Sequence, residues 1–155
     1  MSGLPTLPTV ILKPGHIQPI WAGHPWVYAQ AVASVRGGAR PGDEVAVLDP
    51  EGKFLGRGFY TPQSAIPVRL LTRSPDERID GAFFRRRFQR ALELRHTLHL
   101  PSTETNAFRL VHSEGDELPG LIVDRFGEAA VVQFTTLGMK LREGLLIEAL
   151  EATVP

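Results

Sequence analysis

The segment Asp49-Pro50-Glu51-Gly52 constrains the fold more than any other stretch of this chain. Proline fixes φ at the value an early turn position needs, and glycine accepts positive φ where the turn closes. Before it stands Glu44-Val45-Ala46-Val47-Leu48, and after it the run Phe54 to Tyr60. Both runs suit a half-buried strand, so a turn of this chemistry between them predicts an antiparallel hairpin. In the return strand Gly56 and Gly58 flank Arg57, which predicts a bulge or a close backbone approach.

Other short strands surround the hairpin. Val10 to Leu12 precedes the turn Lys13-Pro14-Gly15, Trp26-Val27-Tyr28 follows the corner Gly23-His24-Pro25, and Ile66 to Leu71 ends in Thr72-Arg73. Fifteen glycines and thirteen prolines supply the turns that such a pattern needs. Short strands at this spacing indicate a small barrel or sandwich, here over residues 9–74, with residues 1–8 extended or disordered ahead of it.

A different pattern begins near residue 75. Asp80 is placed to cap a helix whose apolar positions Phe84, Phe88, Ala91, Leu94 and Leu98 recur at helical spacing. Arg85, Arg86 and Arg90 fall outside that stripe, while Arg87 and Arg95 fall inside or beside it. An inward Arg95 needs a carboxylate, since an unpaired buried charge is very costly, and Glu114 or Asp124 is the expected partner. Three short strands follow: Phe108 to His112, Gly120 to Asp124 and Ala129 to Thr135. Leu141, Leu145, Leu146, Ala149 and Leu150 then mark an amphipathic helix after Gly138. Three strands and two helices make a small layer, so further structure is expected downstream.

Residues 1–100 hold 13 Lys/Arg against 8 Asp/Glu, and residues 101–155 hold 4 against 9. A basic front half is the footprint expected for a polyanion, and an acidic back half fits a partner domain or solvent. Cations for phosphates and flat rings for unstacked bases are what RNA readers combine. Lys13, His24, Trp26, Tyr28, Arg57, Tyr60 and Arg69 form such a set, although aromatics are core material more often than ligands, so Trp26 and Tyr28 are expected to pack the barrel. The run Arg85-Arg86-Arg87 with Arg90 extends a phosphate-binding stripe or is simply a solvated helix face. His112-Ser113-Glu114-Gly115-Asp116-Glu117 is turn chemistry rather than a metal site, because it lacks EF-hand or zinc spacing.

Absences narrow the chemistry. The chain has no cysteine, hence no disulfide, thiolate zinc site or cysteine nucleophile of its own. It contains no G-x-G-x-x-G, no G-x-x-x-x-G-K-[ST], no G-x-S-x-G and no H-E-x-x-H. No stretch is long and apolar enough for a bilayer span, and the start lacks the basic and apolar regions of a signal peptide. A cytoplasmic location is the expectation.

Four segments carry a resemblance. Arg109-Leu110-Val111-His112-Ser113-Glu114-Gly115-Asp116-Glu117-Leu118-Pro119-Gly120-Leu121-Ile122-Val123-Asp124-Arg125-Phe126-Gly127 resembles the central-domain signature of the bacterial class I S-adenosylmethionine-dependent cytosine-5 methyltransferases of large-subunit rRNA. Gly23-His24-Pro25-Trp26-Val27-Tyr28 and Gly52-Lys53-Phe54-Leu55-Gly56-Arg57-Gly58-Phe59-Tyr60 resemble that family's N-terminal PUA domain. Ile79-Asp80 with Phe83-Phe84-Arg85-Arg86-Arg87 resembles its connecting helix. The matches run in the family's order from about residue 10 to about residue 150.

The resemblance implies an α+β chain: a PUA-like β-barrel that docks RNA, then a connecting helix and a small, partial α/β central domain over residues 75–155. In the family a Rossmann-like domain binds S-adenosylmethionine and holds the cysteine that attacks cytosine C6. This sequence has neither the cysteine nor a cofactor loop, so no catalytic residue is carried over and no cofactor is expected on this chain itself. The expected RNA contacts are Lys13, His24, Arg57, Tyr60, Arg69 and Arg73, with Arg85 and Arg86 as flanking electrostatics. RNA, specifically large-subunit rRNA, is the expected partner, beside a downstream catalytic domain or a second copy of the chain, with no membrane and no metal. Three readings stay open: the recognition portion of a full enzyme, a free-standing RNA-binding module, and a protein-interaction module. The last would dock through its acidic back half and show an exposed apolar patch around Leu141 to Leu150.

Overall fold

The computed structural model describes residues 7–154 and divides the chain into two compact units, the first ending at Glu77 and the second beginning at Arg78. The expected extended start at residues 1–8 falls largely outside the described residues. Pro8, at its end, already takes part in the sheet by accepting a hydrogen bond from the Ala46 amide at 2.9 Å.

In the first unit the strands are β1 (Thr9–Leu12), β2 (Trp26–Val27), β3 (Val32–Arg36), β4 (Glu44–Leu48), β5 (Phe54–Tyr60) and β6 (Val68–Thr72). They form one mixed sheet in the order β2-β6-β5-β4-β1-β3, in which only β1 and β4 run parallel. The sheet curls around a core of Val10, Leu12, Ile20, Val27, Val45, Val47, Leu55, Val68 and Leu70. Val45 and Val47 face inward at strand period two, and their cross-strand partners are Gly58 and Gly56. The expected hairpin is therefore present, closed by Asp49, whose Oδ1 accepts from the amides of Glu51 at 2.9 Å and Lys53 at 2.8 Å.

Two elements of this unit carry no clear signal in the sequence. The short helix α1 (Gln18–Trp21) has only one buried residue, Ile20. The edge strand β3 reads Val-Ala-Ser-Val-Arg and is half exposed, so it shows no strong apolar alternation.

The second unit is built on α2 (Gly81–Thr97). Asp80 caps it as expected, with Oδ1 accepting from the Phe83 amide at 3.0 Å. Asp80→Ala should cost about 1 kcal/mol of stability, read from a denaturant melt. The buried face is Phe83, Phe84, Phe88, Ala91, Leu92 and Arg95, whereas Leu94 and Leu98, expected on it, are 47% and 61% exposed. The stripe swings toward Phe83 and Leu92 because α2 packs against both α4 (Glu143–Glu151) and β7 (Ala107–His112).

The sheet of this unit is antiparallel in the order β7-β8-β9, with β8 at Leu121–Phe126 and β9 at Ala129–Phe134. The single helix expected after Gly138 is two: α3 (Leu137–Lys140) and α4. Leu141 lies at the break and is 64% exposed, but Leu146, Ala149 and Leu150 are buried. The apolar patch required by a protein-docking reading is thus largely used inside the unit.

Arg95 is buried, and its partner is Asp116 rather than Glu114 or Asp124. Both terminal nitrogens reach the Asp116 carboxylate, Nη2 at 2.8 Å from Oδ2, and Nε donates to the Arg109 carbonyl at 2.9 Å. The one-turn 3₁₀ segment Ser113–Asp116 swings Asp116 under the helix, where its Oδ2 also accepts from the His112 amide at 2.6 Å. Asp124 is instead held by Arg109, its cross-strand neighbour, through Nε at 2.8 Å and Nη2 at 3.1 Å. That hydrogen-bonded pair keeps the Asp124 carboxyl below the ordinary carboxylate range.

Candidate nucleic-acid interface

The interface starts from the alternation of β2. Val27 points into the barrel core, so its neighbours Trp26 and Tyr28 point out of it: Trp26 is half-buried and Tyr28 36% exposed. This corrects the expectation that both rings pack the barrel. His24 joins them from the preceding corner. Its Nδ1 accepts from the Trp26 amide at 3.2 Å, its ring meets Trp26 edge-on at 5.3 Å, and it lies 6.0 Å from Tyr28. The Trp26 and Tyr28 rings are 6.2 Å apart, again edge to face.

Arg73 fixes this corner from below. Nη1 donates to the Ile20 carbonyl at 2.6 Å and Nη2 to the His24 carbonyl at 2.9 Å. Both carbonyls lie in the stretch from α1 to β2, so one guanidinium ties the ring cluster to the end of β6. Burial lowers the Arg73 pKa from the usual arginine value. The residue is nonetheless exposed, so the expected contact Arg73 borders the ring cluster while holding its backbone.

A cavity of about 250 Å³ opens beside the rings, lined among others by Leu12, His16, Ile20, Trp26, Tyr28 and Gln30. Lys13 is exposed in the turn just after β1, with its amide bonded to the Ala31 carbonyl at 2.8 Å. Arg69 stands directly across from Trp26 in the β2–β6 pairing, on the same face. Sequence reasoning misses Trp21, 59% exposed, over whose ring the Lys53 Nζ sits at 6.0 Å. The available signal is its position: a tryptophan two residues before Gly23-His24, in a short stretch bounded by Pro19 and Pro25.

Four of the expected residues stand elsewhere. Arg57 is only 4% exposed, with Nη1 3.4 Å from Glu44 Oε1. It pairs across the sheet with Ala46 and Thr72, and its side chain is buried. Tyr60 packs against the barrel core. Arg85 and Arg86 are exposed on α2, in the second unit, with the Arg86 guanidinium 6.0 Å from the Phe83 ring.

The charge split also needs correcting. Residues 1–77 hold seven Lys/Arg against six Asp/Glu, so the first unit is nearly neutral. The basic excess of the front half belongs to α2. There Arg87 and Arg90 both meet Glu117, and Arg95 meets Asp116. Among the described residues no group of three or more His, Asp or Glu side chains is arranged to hold a metal ion.

Residues 10–73 match the model of a PUA-like domain. The first unit is a PUA-like domain. Beyond it, the chain is 44% identical over 146 residues to the ribosomal RNA large subunit methyltransferase I of Alteromonas mediterranea, covering 94% of this chain and 36% of that protein. The protein of the same name from Escherichia coli strain SMS-3-5 is 38% identical, with 94% and 37% covered. The chain thus spans about a third of the length of the curated relatives it matches. In structure it resembles a putative SAM-dependent methyltransferase from Streptococcus mutans, with a TM-score of 0.82 and 16% identity over 95% of this chain and 38% of that one. That likeness supports the α+β fold: a PUA-like mixed sheet followed by helices and a second small sheet.

In the PUA-like domain the exposed rings, the cavity and the nearby cations share one region. Flat faces beside ammonium and guanidinium groups can stack an unpaired base while its phosphates are held. Among the described residues of the whole chain, no helix is long and apolar enough to cross a membrane.

Proposed function

We propose that this chain is the RNA-recognition portion of an S-adenosylmethionine-dependent methyltransferase acting on large-subunit rRNA. The PUA-like domain docks the RNA. Residues 9–74 form the recognition barrel, and residues 75–155 form a connecting helix and central domain leading toward a catalytic domain. The observation that carries the reading is the cluster of His24, Trp26 and Tyr28, turned outward beside a cavity in a chain whose relatives are called rRNA methyltransferases.

In this reading Lys13 and Arg69 hold phosphates next to the rings, Arg73 fixes the corner, and Arg85 and Arg86 add charge on the second unit. Arg57 and Tyr60 support the barrel instead of touching RNA. S-adenosylmethionine, when bound by such an enzyme, supplies the methyl group. In this reading the methyl donor is held outside the PUA-like domain, whose cavity has no carboxylate in its lining to hold a ribose hydroxyl. With no cysteine in the sequence, the nucleophile also lies elsewhere. The setting that suits this work is the cytoplasm, where rRNA is modified.

Fluorescence anisotropy of the chain against a structured rRNA hairpin across a salt series tests the proposal. Affinity should fall as salt rises, and Lys13→Ala should reduce the log–log slope by about one. Arg57→Ala should leave the slope unchanged and lower stability. Absence of binding at low salt would overturn the proposal.

A further inference from the structure

The cavity in the PUA-like domain has a composition that selects its occupant. Leu12, Val27 and Ile20, 1%, 1% and 2% exposed, are its most buried walls. Trp26 and Tyr28 add flat aromatic surface, while His16 and Gln30 are exposed and stand at its mouth. Among the described residues no lysine, arginine, aspartate or glutamate lines it. A phosphate, carboxylate or ammonium entering would lose its hydration and meet no opposite charge. The occupant is therefore neutral, flat and about one ring system in size.

The surroundings supply what the lining lacks. Lys13 lies between the lining residues Leu12 and Gly15, and Arg69 lies across from Trp26, so cations stand outside a neutral cavity. A nucleotide has the same division, with an uncharged heteroaromatic base on a charged backbone. The Gln30 amide offers both a donor and an acceptor, which is what the edge of a base requires. We infer that the cavity receives a single unstacked nucleobase of the bound RNA, with Gln30 on its hydrogen-bonding edge and its phosphates left outside near Lys13 and Arg69.

This inference rests on the RNA-docking reading above and specifies what docks. It also fits the near neutrality of the first unit, since a captured base contributes affinity that phosphate contacts alone would not.

The test uses the whole chain and an rRNA hairpin whose loop nucleotides are replaced one at a time by abasic residues, read by anisotropy. One position should lose about tenfold or more in affinity, the scale of a single stacked base. Because Gln30 is exposed, Gln30→Ala should leave the fold intact, which its thermal melt checks. It should weaken intact RNA severalfold and cost nothing further on RNA already abasic at that position. If the hairpin binds but every loop position tolerates the abasic change, the cavity does not capture a base, and RNA docking stands without it. The same conclusion follows if Gln30→Ala loses an equal factor on intact and abasic RNA. If no hairpin binds, both the capture and the docking are wrong.

Discussion

Arg95→Met is expected to lower the melting temperature of the second unit by more than about 10 °C. The Arg95 residue is 8% exposed and the Asp116 side chain 4%, so the substitution leaves a buried carboxylate held by the His112 amide without its guanidinium. It also removes the donor to the Arg109 carbonyl. Breaking a buried pair from one side costs roughly 3–5 kcal/mol, and in a domain of this size each kcal/mol shifts the midpoint by roughly 4–8 °C. The helical signal of α2 in circular dichroism should report the loss. Tryptophan emission should respond far less, because both tryptophans, Trp21 and Trp26, lie in the first unit. The double variant Arg95→Met with Asp116→Leu should recover part of the stability, since removing both charges removes the orphaned one. An unchanged melt for the single variant would show that this pair does not hold α2 to the loop before β8.

Gly58→Ala should be the most damaging small change in the PUA-like domain. A Cβ there would overlap the Arg69 carbonyl oxygen and fall 2.7 Å from its carbon. These are backbone atoms of β6, fixed by the ladder, so neither side can turn away. The β5–β6 register shifts between Arg57 and Gly58, which brings the two backbones together at this point. The cost should reach or exceed the top of the roughly 1–3 kcal/mol range for overpacking. Gly38→Ala is the control: its φ is +68° but nothing lies within 4 Å of the new Cβ, so it should cost only about 1 kcal/mol of backbone strain. Denaturant unfolding followed by tryptophan emission separates the two. Equal losses would mean that the β5–β6 backbones yield to the new Cβ and that close approach does not set the requirement at Gly58.

Legibility in the sequence follows how locally each feature is determined. The Asp49–Gly52 turn, the hairpin it closes and the Asp80 cap depend on neighbouring residues and can be read directly. The flanking of Arg57 by two glycines announces the close approach at Gly58 for the same reason. Features decided across the fold are harder to read. Whether Arg57 faces solvent depends on what covers that side of the sheet, and its alternation gives the same pattern either way. Trp26 and Tyr28 look like core aromatics until the sheet shows that Val27, between them, takes the inward position. Asp116 is hidden as the partner of Arg95 because Ser113–Asp116 forms a 3₁₀ turn that reverses the direction of the loop. The front-half charge misleads in a similar way, since a division at residue 100 assigns the arginines of α2 to the barrel.

The most direct test of the central claim is to locate the contact. The chain would be photo-crosslinked to an rRNA hairpin carrying 4-thiouridine in its loop, and the attached peptides identified by mass spectrometry. Crosslinks should concentrate on the segment holding Trp21, His24, Trp26 and Tyr28, and weaken when Trp26→Ala is used. Crosslinks confined to the arginine face of α2, with none on the ring cluster, would contradict the claim that the PUA-like domain reads the RNA through these rings.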